Sequence, residues 1–253
     1  MAKPFVSLLR REFSGRVWQM WGFFLAAALI QPLVFWFQIK DQYQPKRFEE
    51  VYMDSAAPVL LAVFFAGIVG WMVWMCLRDC GNGSICTLMT LPGGRGQLFW
   101  SKLLGYAGAV FLLLAGVLAG VLLCYPVYLS WQAELAQRTH ADLTLNAGLW
   151  LALNQTPLFR LLCPMTFREM AASLLLLITL PVWACTTGWR IAGRRWVRGG
   201  VLSLSAAVCW ALVFRGRLTD FGGLLDISSL IVLAVLVILM AADCLWLLHR
   251  GEI

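Results

Sequence analysis

The sequence predicts an all-α membrane protein that crosses the bilayer several times. Hydrophobic residues make up 61% of its 253 residues and charged residues only 13%, whereas soluble domains have about 45–50% and about 25%. The apolar residues fall in six runs, most of them near the roughly 20 residues that a helix needs to cross a membrane. Because this length leaves no room for a large soluble domain as well, we expect one transmembrane domain over residues 1–253.

The six apolar runs predict six transmembrane helices. They cover residues 19–39, 56–77, 103–129, 170–189, 199–214 and 227–248. The fifth run is the shortest, and we expect its helix to extend in either direction. Lysine and arginine accumulate in cytoplasmic loops of membrane proteins. With the amino terminus inside, the inner segments hold the larger share of the 20 basic residues, which predicts that both termini are cytoplasmic.

Residues ahead of the first span predict a short amphipathic helix. Apolar side chains recur there at helical spacing and charged ones occupy another face: Phe5, Leu8, Leu9, Phe13 and Val17 against Arg10, Arg11 and Glu12. This pattern favours a helix in the inner headgroup region, with its apolar face in membrane lipid and its arginines near anionic phosphates. The alternative is a cytoplasmic extension of the first span.

A long outer element, residues 130–169, is predicted between the third and fourth spans. Its segment 143–163 is rich in leucine, but several residues in it argue against a seventh span: Asn146, Asn154, Gln155, Pro157 and Arg160. A seventh span would also place the arginines of residues 190–198 outside, against the charge rule. We therefore interpret 143–163 as an external amphipathic helix or a re-entrant element.

The sequence shows no motif for catalysis, metal binding or cofactor binding. His-Glu-x-x-His, Gly-x-Ser-x-Gly and phosphate-loop motifs are missing, and no histidine completes a zinc pattern around Cys76, Cys80 and Cys86. The chain alone is therefore not expected to be an enzyme. We attribute the net charge of +7 to topology signals, so nucleic acid is not an expected partner.

One acid, Asp243, lies deep in an apolar run. Ionisable residues inside a membrane are functional candidates by default, because their desolvation is costly. Asp243 is close in sequence to Arg250, so we expect an intramembrane ion pair between them. A proton relay through Asp243 is the alternative.

The inner loop between the second and third spans is the most informative segment. Asn82 or Ser84 can cap the start of a helix, after which Ile85, Leu88 and Met89 share one face. The sequence Pro92-Gly93-Gly94 then ends the element. This pattern predicts a short helix whose apolar face meets a partner protein or the membrane surface.

This loop resembles that of the permease subunits of bacterial type-2 ABC exporters. The shared features follow in the same order: Asp79, Gly83 and Ser84, Leu88 and Met89, Leu91 and Pro92, Arg95, and Lys102 at the start of the third span. The amphipathic amino terminus, the six spans and the inner termini extend the resemblance over most of the chain. Gly93 and Gly94 depart from the bulkier residues of the family, and several of its branches place re-entrant helices between spans five and six instead.

The resemblance implies a coupling helix that docks on a separate ATPase subunit. The residues that match this docking element are Asp79, Gly83, Ser84, Ile85, Leu88, Met89, Pro92 and Arg95. It also implies a second permease copy or a paralogue, ATP and Mg²⁺ bound in the ATPase, and a place in the bacterial inner membrane. No cofactor is expected in this chain itself.

Other functions remain open on the sequence alone. One alternative is a secondary carrier or channel, which should show broken helices or repeats with polar groups at mid-membrane. Another is a non-transporting sensor or assembly subunit, and an intramembrane enzyme is the third. The 13 tryptophans and the apolar bundle fit a small amphipathic, peptide or lipid-like substrate, although tryptophan also anchors membrane proteins in general.

Overall fold

A computed structural model describes residues 2–40, 42, 46–82, 95–139, 167–192, 196–219 and 224–250. Over these residues the chain consists of helices and short turns, without a strand, so the predicted all-α class is confirmed for this part. In chain order the helices are α1 (Ala2–Ser14), α2 (Val17–Ile39), α3 (Phe48–Asp54), α4 (Ala57–Gly81), α5 (Arg95–Thr139), α6 (Phe167–Ala192), α7 (Trp196–Thr219) and α8 (Leu224–Arg250).

In the part of the chain that the structure describes, four helices are long and apolar enough to cross a membrane. They contain the segments Val17–Ile39, Ala57–Gly81, Gly96–Arg138 and Met170–Ala192. Within the described residues, α7 and α8 carry shorter apolar stretches, Ser203–Arg215 and Ile231–Leu247. Large apolar side chains such as Trp18, Leu29 and Leu204 are exposed on the helix surfaces. Apolar exposure of this extent fits a protein embedded in a membrane.

Three of the four helices that are long enough to span a membrane agree in their boundaries with predicted spans. The spans predicted at 19–39, 56–77 and 170–189 coincide with α2, α4 and α6 to within a few residues. The third, predicted at 103–129, is part of the 45-residue helix α5. At 1.5 Å per residue α5 is about 68 Å long, more than twice the roughly 30 Å of a hydrocarbon core.

Residues 130–139, which we assigned to the outer element, therefore continue the helix of the third span. This stretch consists mainly of good helix formers, which prolong a helix after its apolar run has ended. Arg138 also forms an ion pair with Glu134, one turn before it, with 2.5 Å between Nη2 and Oε1. The segment 143–163 lies outside the described residues.

The chain contains two compact units. The first comprises Met1–Trp18, Gly67–Phe111 and Met165–Ile253. In it, α6 packs against both α7 and α8. The predicted amino-terminal helix is present as α1, and it ends in a turn at Gly15 and Arg16, where the Arg16 amide donates to the carbonyl of Phe13 at 3.1 Å.

The second unit comprises Gln19–Ala66 and Leu112–Pro164. It contains an aromatic cluster that consists of Phe35 from α2, Phe48 and Tyr52 from α3, and Tyr125 and Tyr128 from α5. Phe48 is at the centre, since its ring centroid lies 5.4–6.0 Å from those of the other four residues. The helix α3, which the sequence analysis did not predict, is anchored by these contacts.

Two glycines allow α2 and α5 to approach closely in the second unit. A Cβ atom at Gly116 would lie 2.6 Å from the carbonyl oxygen of Phe24, and one at Gly120 would lie 2.9 Å from that of Ala27. Both distances are shorter than a van der Waals contact. The Gly-x-x-x-Gly pattern thus serves packing within the chain, a use of such motifs that is common in membranes.

Candidate functional site

Four charged side chains meet at the helix ends that flank residues 83–94. Glu12 is in the last turn of α1, Arg16 is in the turn after it, Asp79 is near the end of α4, and Lys102 is near the start of α5. All four belong to the first unit. We call this set the charge ring.

The ring alternates acids and bases, and each base contacts both acids. Arg16 lies 2.5 Å from a carboxylate oxygen of Glu12 and donates a hydrogen bond of 2.7 Å to Asp79. Lys102 donates a hydrogen bond to the same Asp79 oxygen, and its Nζ lies 3.5 Å from the other Glu12 oxygen. Four ion pairs thus join three separate segments of the chain.

The ring is largely removed from solvent. The Lys102 side chain is only 1% exposed, and those of Glu12, Arg16 and Asp79 are between 11% and 20% exposed. Taking an ion out of water costs several kcal/mol, which only close pairing and additional hydrogen bonds can offset. Two acids face two bases, so the ring is formally neutral, and Asp79 accepts hydrogen bonds from both Arg16 and Lys102.

Tyr106 lines the ring one turn beyond Lys102 on α5. Its ring centroid lies 5.7 Å from the guanidinium carbon of Arg16, and its hydroxyl is 3.3 Å from the buried thiol of Cys76 on α4. Burial of Arg16 lowers its pKa, but Tyr106, Glu12 and Asp79 raise it more, so that the net shift is upward. Arg16 therefore stays cationic at any physiological pH.

The helix α1 lies directly against α5 beside the ring. A Cβ atom at Gly105 would be 3.5 Å from the Cβ of Glu12, and one at Gly108 would be 2.9 Å from the ring of Phe13. Any larger residue at Gly108 would have to displace the Phe13 ring. The two glycines thus bring Glu12 within reach of Lys102.

The structure describes two of the eight residues that match the docking element. Asp79 is in the charge ring, and Arg95 begins α5, although its side chain is not described. The other six lie outside the described residues: Gly83, Ser84, Ile85, Leu88, Met89 and Pro92. Their role on a coupling helix stays a prediction.

A second ion pair joins α6 to α8. Arg190 binds Asp243 in a bidentate manner, with 2.7 Å between Nε and one carboxylate oxygen and a second hydrogen bond from Nη2 to the other. The side chains are 10% and 18% exposed. The structure thus gives Asp243 a partner in Arg190 that we did not expect. The expected pair with Arg250 stays a prediction, because the structure does not describe the Arg250 side chain.

Sequence reasoning missed Glu12, Arg16 and Arg190 as site residues, and it noted Lys102 only as part of the family resemblance. A signal for the ring was present. Glu12 and Asp79 are acids in segments that the charge rule assigns to the basic side, where an acid near apolar surface needs a basic partner.

We also searched the described residues for a metal site and for disulfide bonds. Among them, no group of three or more His, Cys, Asp and Glu side chains is placed to hold a metal ion, and the cysteines that the structure describes are free thiols. What the charge ring provides is an electrostatic connection between α1, α4 and α5.

Comparison with known proteins gives no assignment. No family model, curated protein or solved structure matches this chain.

Proposed function

We propose that this chain is the membrane subunit of an ATP-driven exporter in the bacterial inner membrane. In this proposal the chain has six spans with both termini in the cytoplasm, so that α7 and α8 cross the membrane in addition to the four longer helices. It pairs with a second copy or a paralogue, and two separate ATPase subunits bind ATP and Mg²⁺. The substrate class that fits the apolar bundle is a small amphipathic, peptide or lipid-like molecule.

The observation that carries the proposal is the connection between the two helices that flank residues 83–94. Asp79 near the end of α4 is ion-paired with Lys102 near the start of α5, and Cys76 and Tyr106 make a second contact between the same helices. Because α4 and α5 are held together at these ends, a displacement of residues 83–94 would move both helices. If the two ends were not connected, these residues could move without displacing either helix.

The coupling requires no bond-making by this chain. Binding of ATP closes the two ATPases, and closure displaces the docked helices of residues 83–94. The complex then favours whichever membrane conformation best accommodates the closed ATPases, since only a difference in interaction energy between two states can shift their equilibrium. Ile85, Leu88 and Met89 supply the apolar contact to the ATPase.

Leu88→Asp tests the proposed docking. A charge placed in an apolar contact that cannot solvate it should weaken association by about 2–5 kcal/mol, or about 30-fold or more in Kd. The measurement is the amount of ATPase subunit and of ATP hydrolysis that co-purifies with the tagged chain from its native membrane, at matched membrane levels.

Gln137→Asp is the matched control. It introduces the same charge at an exposed position of α5 that the proposed topology places on the other side of the membrane. The proposal is supported if Leu88→Asp loses the ATPase and Gln137→Asp keeps it. If the wild-type chain co-purifies with no ATPase, the exporter is ruled out, and a carrier or a sensor becomes the better hypothesis.

A further inference from the structure

Arg16 occupies the junction between the amino-terminal helix and the first span. It lies in the turn that separates α1 from α2, and α2 begins at the next residue, Val17. The turn is short, because the amide of Gly15 donates to the carbonyl of Arg11 and that of Arg16 donates to Phe13. A displacement of the Arg16 side chain therefore acts directly on the start of α2.

The side chain of Arg16 is held from both sides. It pairs with Glu12 in the last turn of α1 and with Asp79 on α4, at 2.5 and 2.7 Å. Glu12 in turn contacts Lys102 on α5 at 3.5 Å. Because Gly108 also lies directly against the ring of Phe13, α1 cannot shift against α4 and α5 without separating several of these contacts.

We propose that Glu12 and Arg16 are positioning residues that make α1 and the start of α2 follow any movement of Asp79 and Lys102. This inference rests on the proposed function, in which the ATPases displace residues 83–94. The displacement passes from the loop to Asp79 and Lys102, from these to Glu12 and Arg16, and from Arg16 into the first span. Thus α1 acts as a third connection between the ATPase and the membrane helices.

The exposed arginines of α1 have no such role. Arg11 is exposed, and no pairing with an acid is seen for it in the described part of the chain. Removing the charge of Arg11 therefore changes the net charge of the amino-terminal segment, residues 2–16, by the same amount as removing that of Arg16, while the ring stays intact.

The test uses the complex of this chain with its co-purified ATPase in lipid nanodiscs. Hydrogen exchange of residues 10–20 is measured by mass spectrometry with and without ATP plus vanadate. In wild type, nucleotide should change the exchange of these residues. In Arg16→Gln the change should fall about fivefold or more, while the ATPase stays bound and hydrolyses ATP. Arg11→Gln should behave like wild type, and Arg16→Lys, which keeps the charge, should restore most of the change.

The outcomes separate this inference from the proposed function. A full nucleotide-dependent change in Arg16→Gln, with the ATPase still bound, overturns the inference and leaves the exporter proposal standing. If wild type carries no ATPase, both are overturned, because no ATP-driven displacement then exists. If Arg16→Gln does not accumulate in the membrane, Glu12→Gln takes its place. It breaks the ion pairs of Glu12 with Arg16 and Lys102 but keeps the pair of Arg16 and Asp79, so a partial loss is expected. An undiminished change in this variant overturns the inference.

Discussion

The charge ring of the first unit and the aromatic cluster of the second each join three helices, but by different forces. In the ring, Glu12, Arg16, Asp79 and Lys102 are ion-paired around a neutral total. In the aromatic cluster, Phe48 packs against four other rings, and Tyr52 and Tyr128 are fully buried. The ring depends on a match of opposite charges, whereas the cluster depends on filled volume.

This difference indicates which region can pass a displacement between helices and which holds helices in place. Each charge of the ring is paired with two others, and these pairs connect α1, α4 and α5, so the ring suits a place where movement passes from one helix to the next. A close-packed aromatic cluster loses contacts whenever any ring shifts, so it suits a fixed anchor. We therefore expect that a second charge substitution can compensate for a first in the ring, and that no second substitution does so in the cluster.

The largest effect is expected from Lys102→Met. This substitution leaves two acids facing one arginine in a buried site, and removal of one partner from a buried ion pair costs about 3–5 kcal/mol. The double variant Asp79→Asn/Lys102→Met restores the balance between Glu12 and Arg16, so it should lose less stability than Lys102→Met alone. The measurement is the free energy of unfolding of the purified chain in detergent micelles, followed by circular dichroism.

Lys46→Met is the control for this comparison. Lys46 pairs with Asp54 at 2.7 Å, but both side chains are substantially exposed, and exposed pairs contribute little to stability. The control should therefore unfold like wild type. Losses that simply add in the double variant would show that the charges of the ring do not depend on each other, which contradicts the description of the ring as a unit.

A substitution in the aromatic cluster should lower the stability, and a second substitution should not restore it. Phe48→Leu keeps most of the buried volume but removes the edge contacts with neighbouring rings, for an expected loss of about 1–2 kcal/mol. Phe37→Leu is the matched control, because Phe37 is exposed on α2, and it should cost much less. A second substitution in the cluster that restored the stability of Phe48→Leu would break the distinction between the two regions.

The sequence predicted much of the fold because apolar run length is a local property. The runs at 19–39 and 170–189 match α2 and α6 closely, since a bilayer-spanning helix must satisfy all its backbone hydrogen bonds within the run itself. The same logic missed residues 130–139, which are helical but polar. It also missed α3, whose seven residues are too few to form a helix alone and depend on the packing of Phe48 and Tyr52.

The charge ring was harder to predict because it depends on contacts between distant residues. Arg16 and Asp79 are 63 residues apart, and Arg190 and Asp243 are 53 apart. Single charges at the ends of apolar runs carry topology information, and nothing local distinguishes a basic residue that faces water from one that pairs across helices. The resemblance of residues 79–102 to a docking loop included Asp79 and Lys102, but it assigned no role to Glu12 or Arg16.

The smallest effect is expected from Tyr52→Phe, which removes one polar contact of the aromatic cluster. The Tyr52 hydroxyl donates to the side-chain oxygen of Gln31 at 3.2 Å, and Gln31 is 1% exposed. Losing one such hydrogen bond costs about 0.5–1.5 kcal/mol, while the ring contact with Phe48 is kept. The same unfolding measurement at neutral pH gives the size of the loss.

The pH dependence of that loss identifies its cause. Burial, with a smaller contribution from Cys124, raises the pKa of Tyr52 well above its ordinary value. The folded protein thus holds the phenol proton more tightly than the unfolded chain, where tyrosine titrates near about pH 10. The stability that Tyr52 contributes is complete below about pH 10 and decreases above it, because the unfolded state then gains by releasing the proton. Wild type should lose its advantage over Tyr52→Phe as the pH rises from 9 toward about 11, and an advantage that stays constant would mean that the hydroxyl is in contact with water.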